Sequence, residues 1–487
     1  MDFIRGVSRD QATLFPERLD DYIDEENPVR FIDVFVDDQD MKALGFQRIE
    51  PAWTGRRPYD PRDLLKLYIY GYLNQIRSSR KLERETHRNV EVMWLLRRLC
   101  PDHKTIANFR KDNPKAFKEV FLAFTVLCRQ MSLFGGELIA VDGSKFKAVN
   151  SPHRNFTKDK LKKRLQEIEQ KIEQYLQELD AQDAQDAQDA KVPSASSKDA
   201  VSMEEKIQRL KERKVTYTHL LDDLEARGEN QVSLTDPDSR AMPKSPQAKV
   251  GYNVQTATDD KHHLIVEQDV TNQANDKAQL SKISIGAKAV LNVDAFRVVA
   301  DRGYYNGETI KACLEERIEP YVPKPDTSNS KSRGLYSKDD FIYDPQQDHY
   351  LCPAGQVLSH AFNATYPKKT ATQPFINKHY TTSACKTCRM KSLCTTNKNG
   401  RCLTRWVDEH ILEEMAKRIA ENPQLLHKRR EIVEHPFGTL KFWYGYVHFL
   451  VKGLDKVKAE FSLMSLAYNI KRAINIVGVS KMVDAVG

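Results

Sequence analysis

No stretch of 18 or more apolar residues occurs in this 487-residue chain, so it contains no candidate membrane-spanning helix. The opening residues, MDFIRGVSRDQATLFPERLDDYIDEENP, lack the apolar centre of a signal peptide or anchor, and the expectation is a cytoplasmic protein with no membrane partner. Cysteine is scarce. Eight in a chain this long are too few for a disulfide scaffold, yet four crowd into residues 385–402, and such uneven spacing points to metal rather than bridges. A dominant charge is missing as well: 76 Lys and Arg against 68 Asp and Glu leave +8, which permits a polyanionic partner without requiring one. Clustering has to decide that question. With 40% hydrophobic residues, the chain can bury at least one sizeable core, and its length allows two to four domains.

Residues 60–127 carry Leu64, Leu65, Tyr68, Tyr72, Ile76, Leu82, Val92, Leu95 and Leu96 at three- and four-residue spacings, the period of helices with one apolar face. Pro101 interrupts the pattern, and DHKTIANFRKDN starts a short helix with Asp102 as its N-cap. Lys104, Asn108, Arg110 and Lys111 on that helix fit either an element that enters a DNA groove or the solvated face of a helical bundle. Residues 157–227 differ in kind. Leu161, Leu165, Ile168, Ile172, Tyr175 and Leu179 step by four and three, and Ile207, Leu210, Lys214, Tyr217, Leu221 and Leu224 repeat the step. Between them DAQDAQDAQDA holds no single helical face and KVPSASSKDA contains proline, so two antiparallel helices joined by a loose tip are expected. They serve as a spacer, or as an arm for dimerisation or DNA clamping.

Around that insertion the chain alternates in strands and helices. ELIAVDGSKFKAV is a strand entering a turn, VGYNVQTATDD and HHLIVEQDVTN form a hairpin, and NDKAQLSKISIGAKAVL is an amphipathic helix. VVADRGYYNGE follows as strand and turn, then a helix after Gly307, then EPYVPKP as an edge strand. The expected fold class is α/β, a mixed sheet with the helical pair inserted after its first strand.

Two acids stand out. Asp142 and Asp301 each end an apolar run, with a glycine within two residues. Two acids ending neighbouring strands converge at one sheet edge, where their repulsion calls for a hard divalent cation such as Mg²⁺. The bland reading is that each caps a turn. Asp236, Asp238, Asp269 and Asp276 are read as turn and cap residues. Further on, HKRREIVEHPFGTLK places Arg430 and Glu434 one helical turn apart, either as a structural pair or with the acid on a metal, and Pro436 predicts a kink or change of partner there. In the cysteine-rich stretch, the CKTC at 385–388 with Cys394 and Cys352 has the spacing of a structural zinc site of four thiolates, with Cys402 as substitute; free thiols are the alternative. Cys100, Cys128 and Cys313 read as small core residues.

YDPRDLLKLYIYGYLNQIRSSRKLE, PDHKTIANFRKDN, VDGSKFKAVNS, TDPDSRAM, VGYNVQTA, ADRGYYNGE and EHPFGTLK together resemble the DDE-type bacterial insertion-sequence transposases, from about residue 10 to about 476. That family has a signature of tyrosine, arginine, glutamate and lysine around its last acid. Here Arg430, Glu434 and Lys441 stand at those spacings, and His427 takes the tyrosine's place. The resemblance implies a ribonuclease H-like core with Asp142, Asp301 and Glu434 as catalytic triad. It implies two Mg²⁺ or Mn²⁺ ions held by those acids, and phosphate contacts from Arg430, Lys441, Lys145 and Arg302. It further implies a nucleoid-associated enzyme that binds double-stranded DNA as a homodimer, frees 3′-hydroxyls at the element's terminal inverted repeats and joins them to target DNA. The expected domains are a DNA-binding helical region (1–130, with Lys104, Asn108 and Arg110), the core (135–155, 228–325 and a helical part at 411–478), a coiled-coil insertion (156–227) and a cysteine-rich insertion (326–410). A metal-dependent nuclease, or a domesticated DNA-binding protein without strand transfer, is the alternative.

Overall fold

The structure is a computed structural model that describes residues 18–50, 57–188, 197–242, 250–326, 329–366 and 375–487. The first seventeen residues, including the start of QATLFPERLDDYI, and the tip at 189–196 lie outside them.

Six helices come first: α1 Pro28–Asp37, α2 Pro61–Leu73, α3 Ser79–Thr86, α4 Val90–Leu95, α5 His103–Asp112 and α6 Ala116–Gln130. Strands β1 Leu138–Lys147 and β2 Asn155–Thr157 lead to α7 Lys158–Gln188 and α8 Ser197–Ala226. β3 Gln231–Ser233, β4 Arg240–Ala241, β5 Val250–Asp259 and β6 Ile265–Thr271 follow, then α9 Leu280–Leu291, β7 Phe296–Val299, α10 Gly307–Glu315 and β8 Ile318–Tyr321. The remainder comprises β9 Ile342–Asp344, β10 His349–Leu351, β11 Val357–Tyr366, β12 Phe375–Thr381, α11 Lys391–Cys394, β13 Leu403–Trp406, α12 Glu409–Glu421, α13 Gln424–Gly438, α14 Leu454–Val477 and α15 Val479–Asp484. The chain divides into two compact units, Met1–Gly135 with Asp142–Asn275 and Ile432–Gly487, and Gly136–Val141 with Asp276–Glu431.

In the first unit the helix starts are written locally. Asn27 and Asp60 each accept a backbone N–H beyond a proline at the first helical position, and Asp102 accepts the N–H groups of Lys104 and Thr105. Helix α14 is buried around most of its circumference from Val457 to Ala473, as α2 is from Asp63 to Leu73, because each is wrapped by other elements. Such burial costs dearly for any charge, so the charges come paired. Lys66 on α2 lies between Asp33 (2.6 Å) and Asp37 (2.8 Å). Asp236, fully buried, accepts from the Tyr252 hydroxyl (2.8 Å) and the Gly453 N–H (3.0 Å), and Asp238 accepts the Leu454 N–H (2.8 Å). The TDPDSR stretch therefore caps α14, as a turn-and-cap reading expects.

α7 and α8 pack antiparallel: Leu161 meets Leu224 in one apolar cluster with Phe156, and Glu169 pairs with Lys214 at 2.8 Å. Leu161, Ile168, Ile207 and Leu224 are buried. The alanine-rich tract is helical through Gln188, further than its three-residue repeat predicted; alanine's helix propensity carries the backbone where no apolar stripe does. The β5–β6 hairpin is antiparallel, and all ten β5 residues are buried, more than half-buried alternation implies. At Gly251 a Cβ would lie 2.0 Å from the Phe146 carbonyl oxygen, so glycine lets β5 close on the end of β1. Gly251→Ala is expected to destabilise the protein by about 1–3 kcal/mol, the usual penalty of overpacking, measured as an earlier urea midpoint.

In the second unit Leu138, Ile139 and Ala140 of β1 pair parallel with Arg297, Val298 and Val299 of β7, and β7 pairs parallel with β8. A crossover helix precedes β7 (α9) and another precedes β8 (α10). Parallel pairing here and antiparallel pairing in the first unit make the protein mixed α/β. Residues 326–410 are more than a loop. β9–β13 form a five-stranded antiparallel sheet in the order β13-β12-β11-β10-β9, with Phe341, Tyr350, Leu358, Tyr380 and Leu403 as its core. Asp348 anchors it by accepting from the hydroxyls of Tyr343 (2.7 Å) and Tyr380 (2.6 Å) and from Lys378 (2.8 Å).

Candidate catalytic site

Asp142 does not end its strand. β1 runs five residues past it to Lys147, because its far half finds new backbone partners: Lys147 donates to the Val447 carbonyl (3.2 Å), Phe449 donates to the Lys147 carbonyl (2.9 Å), and Ala148 donates to Val250 (3.1 Å). Asp142, Ser144 and Lys145 are half-buried there.

Glu434 is exposed on α13, one turn beyond exposed Arg430, and His427 is exposed a turn earlier. The expected break at Pro436 is displaced. α13 continues through the proline to Gly438, and the irregularity follows as a wide π turn over Thr439–Trp443. Proline removes one backbone bond but leaves the helix's later carbonyls usable, and the Thr439 hydroxyl donates to the His435 carbonyl at 2.9 Å. The three- and four-residue spacing of Phe442, Tyr446, Phe449 and Leu450 suggests a continuing helix, which the structure does not form. Between Trp443 and Leu454 the chain is non-helical; Tyr446 and Phe449 are buried, while Phe442 and Leu450 are exposed. His435, next to Glu434, ties α13 to α14. Its Nδ1–H donates to the Tyr468 hydroxyl (2.8 Å) and its Nε2 accepts from Arg472 (2.9 Å). Burial, with Arg472 and His263 nearby, lowers its pKa to about 4, so the ring is neutral at pH 7.

The π turn aims Lys441 at β1. Its Nζ donates to the Ser144 hydroxyl (2.6 Å) and the Lys145 carbonyl (3.0 Å) and lies 4.6 Å from the centre of the Phe146 ring. Burial lowers its pKa to about 8, Asp142 acts to raise it, and Lys145 acts to lower it. The structure thus brings Lys441 to Asp142 and Lys145, which lie about three hundred residues earlier in the chain. On the transposase resemblance, Lys441→Ala is expected to slow DNA cleavage on the order of 10²-fold, the scale of removing one positioned donor. A gel assay of end cleavage checks it, and Lys441→Arg should recover part of the loss.

In the second unit Asp301 follows β7 as the sequence implies, is exposed, and its carboxylate accepts the Gly303 N–H at 2.8 Å. Arg302 beside it is exposed. A Cβ on Gly303 would sit 2.9 Å from Asp301 Oδ1 and 3.7 Å from Asp276 Oδ2, so both carboxylates flank this glycine. Asp276 is the acid that sequence reading set aside as a cap; nothing local in NDKAQL marks it out. Among the described residues, no three His, Cys, Asp or Glu side chains already stand in a metal-holding arrangement.

On α5, Lys104 and Asn108 are exposed, but Arg110 is not a surface contact. Its guanidinium turns inward, donating to the Tyr72 hydroxyl (3.2 Å) and lying over the Tyr68 ring, 5.5 Å from its centre. The buried tyrosines of α2 and the Glu460 charge draw it in. Two arginines not singled out in the sequence, Arg48 and Arg57, line a cavity of about 270 Å³ with Tyr59, Thr105 and Asn108. Both lie in the loop between α1 and α2, where acids and bases are equal in number and no charge run marks the arginines out. Cys128 and Cys313 are buried, and burial pushes the Cys313 thiol up to about 12; Cys100 is exposed, contrary to the core reading, because it follows α4 in the turn before Pro101.

A family model described as "Transposase domain (DUF772)" matches residues 17–112, and one described as "Transposase DDE domain" matches residues 351–474, which contain Arg430, Glu434 and Lys441. Both matches are to transposase domains, the second of the DDE type. Asp142 and Asp301 fall between the two matched spans. Among solved structures, one neighbour is a piggyBac transposase synaptic complex with hairpin DNA, at 9% identity and a TM-score of 0.34, covering 95% of this chain and 79% of that one. No curated protein matches. No described helix is long and apolar enough to cross a membrane.

Proposed function

We propose that this protein is a DDE-type transposase that binds the terminal inverted repeats of its own insertion sequence, cuts DNA there, and transfers the freed 3′-hydroxyl ends to target DNA. Asp142, Asp301 and Glu434 are its acidic triad. The observation that carries the reading is Lys441 lodged against β1 at Ser144 and Lys145: the signature around the last acid reaches the strand of the first acid, a closure that a chance spacing has no reason to produce. The succession of strand, hairpin, helix, strand, helix and strand along the chain supports a ribonuclease H-like core.

The three acids offer only hard oxygen donors, with no thiol or imidazole among them, and that chemistry suits Mg²⁺ or Mn²⁺. Such ions, when bound, neutralise phosphoryl charge and activate the attacking oxygen. This chain's own residues do the rest. Arg430 grips a phosphate through its fork, Lys441 and Lys145 hold positive charge beside Asp142, and Arg302 does so beside Asp301. In the first step a water oxygen attacks phosphorus and the bond to O3′ breaks. In the second, that 3′-oxygen attacks a target phosphorus and displaces the target's own O3′. Lys104 and Asn108, joined by Arg48 and Arg57, contact the element's ends, while Arg110 braces their helix from behind. Residues 1–130 bind DNA; 135–155, 228–325 and 411–478 build the core; 156–227 are a coiled-coil arm and 326–410 an inserted lobe. Two ends must be held together, so the working form is at least a dimer on DNA, associated with the nucleoid.

Terminal repeats taken from the DNA flanking the gene provide the test. Joined product with Mg²⁺ supports strand transfer; cut but unjoined product makes the protein a nuclease; a mobility shift alone makes it a binding protein. Raising salt should weaken the shift steeply, because phosphate contacts release counterions.

A further inference from the structure

The lobe built on β9–β13 plays no part in the reaction above, yet it holds five of the chain's eight cysteines, four of them around one cavity. Cys352 leaves β10, Cys385 lies in a short 3₁₀ turn after β12, Cys388 follows it, and Cys394 ends α11. All four line one cavity with about 20 Å³ of room, enough for a single ion or water and little else. Each is half-buried, and each is a free cysteine. Cys402, the fifth cysteine of this stretch, is exposed, lies outside the cavity and sits 3.5 Å from His379 Nδ1.

The backbone is arranged around sulfur. The turn after β10 closes with Gly355 donating to the Cys352 carbonyl (2.8 Å) and Cys352 donating to the Gln356 carbonyl (2.9 Å), which turns the Gln356 N–H onto the Cys352 sulfur at 3.3 Å. Gly400 has φ +97°, and a Cβ there would lie 2.6 Å from the Cys385 Cβ and 3.3 Å from its sulfur, so only glycine admits Cys385 to the cavity. Arg401 also lines the cavity, and its Nη1 donates to the Cys394 carbonyl at 3.3 Å. Four thiolates on one divalent ion carry a net charge of two minus, and this guanidinium is placed to offset part of it.

We infer that Cys352, Cys385, Cys388 and Cys394 are the four ligands of one structural zinc ion that clamps the β10–β11 turn to the segment between β12 and β13. A closed set of four protein thiolates leaves no open position, so the ion takes no part in catalysis. The inference stands apart from the transposase reading, and metal content is measured without any DNA.

The test uses the full chain, purified without chelator. One zinc per chain by elemental analysis is expected, and Co²⁺ reconstitution should give the intense visible bands of tetrahedral thiolate coordination. Cys352→Ser, Cys385→Ser, Cys388→Ser and Cys394→Ser should each lose most of the bound metal, whereas Cys402→Ser should keep one ion. If the serine variants fail to fold, the wild-type cobalt spectrum decides by itself. Weak octahedral bands, no uptake, a disulfide in the freshly purified chain, or equal metal loss from Cys402→Ser would overturn the assignment.

Discussion

Asp142→Asn, Asp301→Asn and Glu434→Gln are each expected to abolish strand cleavage while leaving binding to the element's ends intact. Each change keeps the side chain's size and removes one charge. What is lost is the ability to hold a divalent cation against a phosphoryl group, worth several kcal/mol of charge stabilisation, so the fall should be roughly 10³-fold or more. Two such changes together should cost little more than one, since residues acting as a unit are not additive. Glu434 and Asp301 are exposed and Asp142 half-buried, so none of the three changes should unfold the protein, and circular dichroism should show this. A mobility shift on end DNA should persist because Lys104, Asn108, Arg48 and Arg57 are untouched. Whichever variant still cuts with Mg²⁺ is thereby removed from the triad. Asp276 supplies an internal comparison: Asp276→Asn should lower cleavage less than Asp301→Asn, and the reverse order would exchange their roles.

The second large effect is on folding. Glu460→Ala should destabilise the first unit by about 3–5 kcal/mol, the cost of breaking a buried ion pair by removing one partner. Glu460 is completely buried on α14. It pairs with Arg77 at 3.4 Å and accepts the N–H groups of Leu450 (2.8 Å) and Val451 (3.2 Å). Burial pushes its pKa up, and Arg110 and Arg77 oppose that push. Alanine would strand the Arg77 guanidinium, which also lies 4.6 Å from the centre of the Tyr446 ring and donates to the His448 carbonyl. It would also free two backbone donors, each costly when buried. Glu460→Gln retains an acceptor for the two N–H groups and should cost less. Urea denaturation measures both. Because residues 447–449 pair with the end of β1, Glu460→Ala should lower cleavage as well, with Lys441 losing its seat. A stability loss below about 1 kcal/mol would mean that Arg110 or water compensates the cluster.

Much of this was legible along the chain, wherever the determining interactions are short in sequence. Asp102 caps α5 because its carboxylate needs only the next two or three N–H groups. The α7–α8 seam follows from a spacing that repeats within each helix, and the β5–β6 hairpin from two runs around one turn. Arg430, Glu434 and Lys441 likewise stand in a pattern fifteen residues long with His427. Local reading failed where a distant partner overrode a local rule. β1 extends past Asp142 because residues 447–449 supply it with hydrogen bonds from three hundred residues away.

The sequence by itself determined the helix caps, the inserted helical pair and the crowding of the cysteines, since each is a matter of residue type and spacing. Only the tertiary structure decided that Arg110 faces Tyr68 and Tyr72 instead of solvent, that Lys441 meets Ser144 beside Asp142, and that Cys352 but not Cys402 shares a cavity with Cys385, Cys388 and Cys394. The reason is the same in each case: a side chain's partner is set by whichever remote segment packing delivers to it, and no spacing along the chain encodes that delivery.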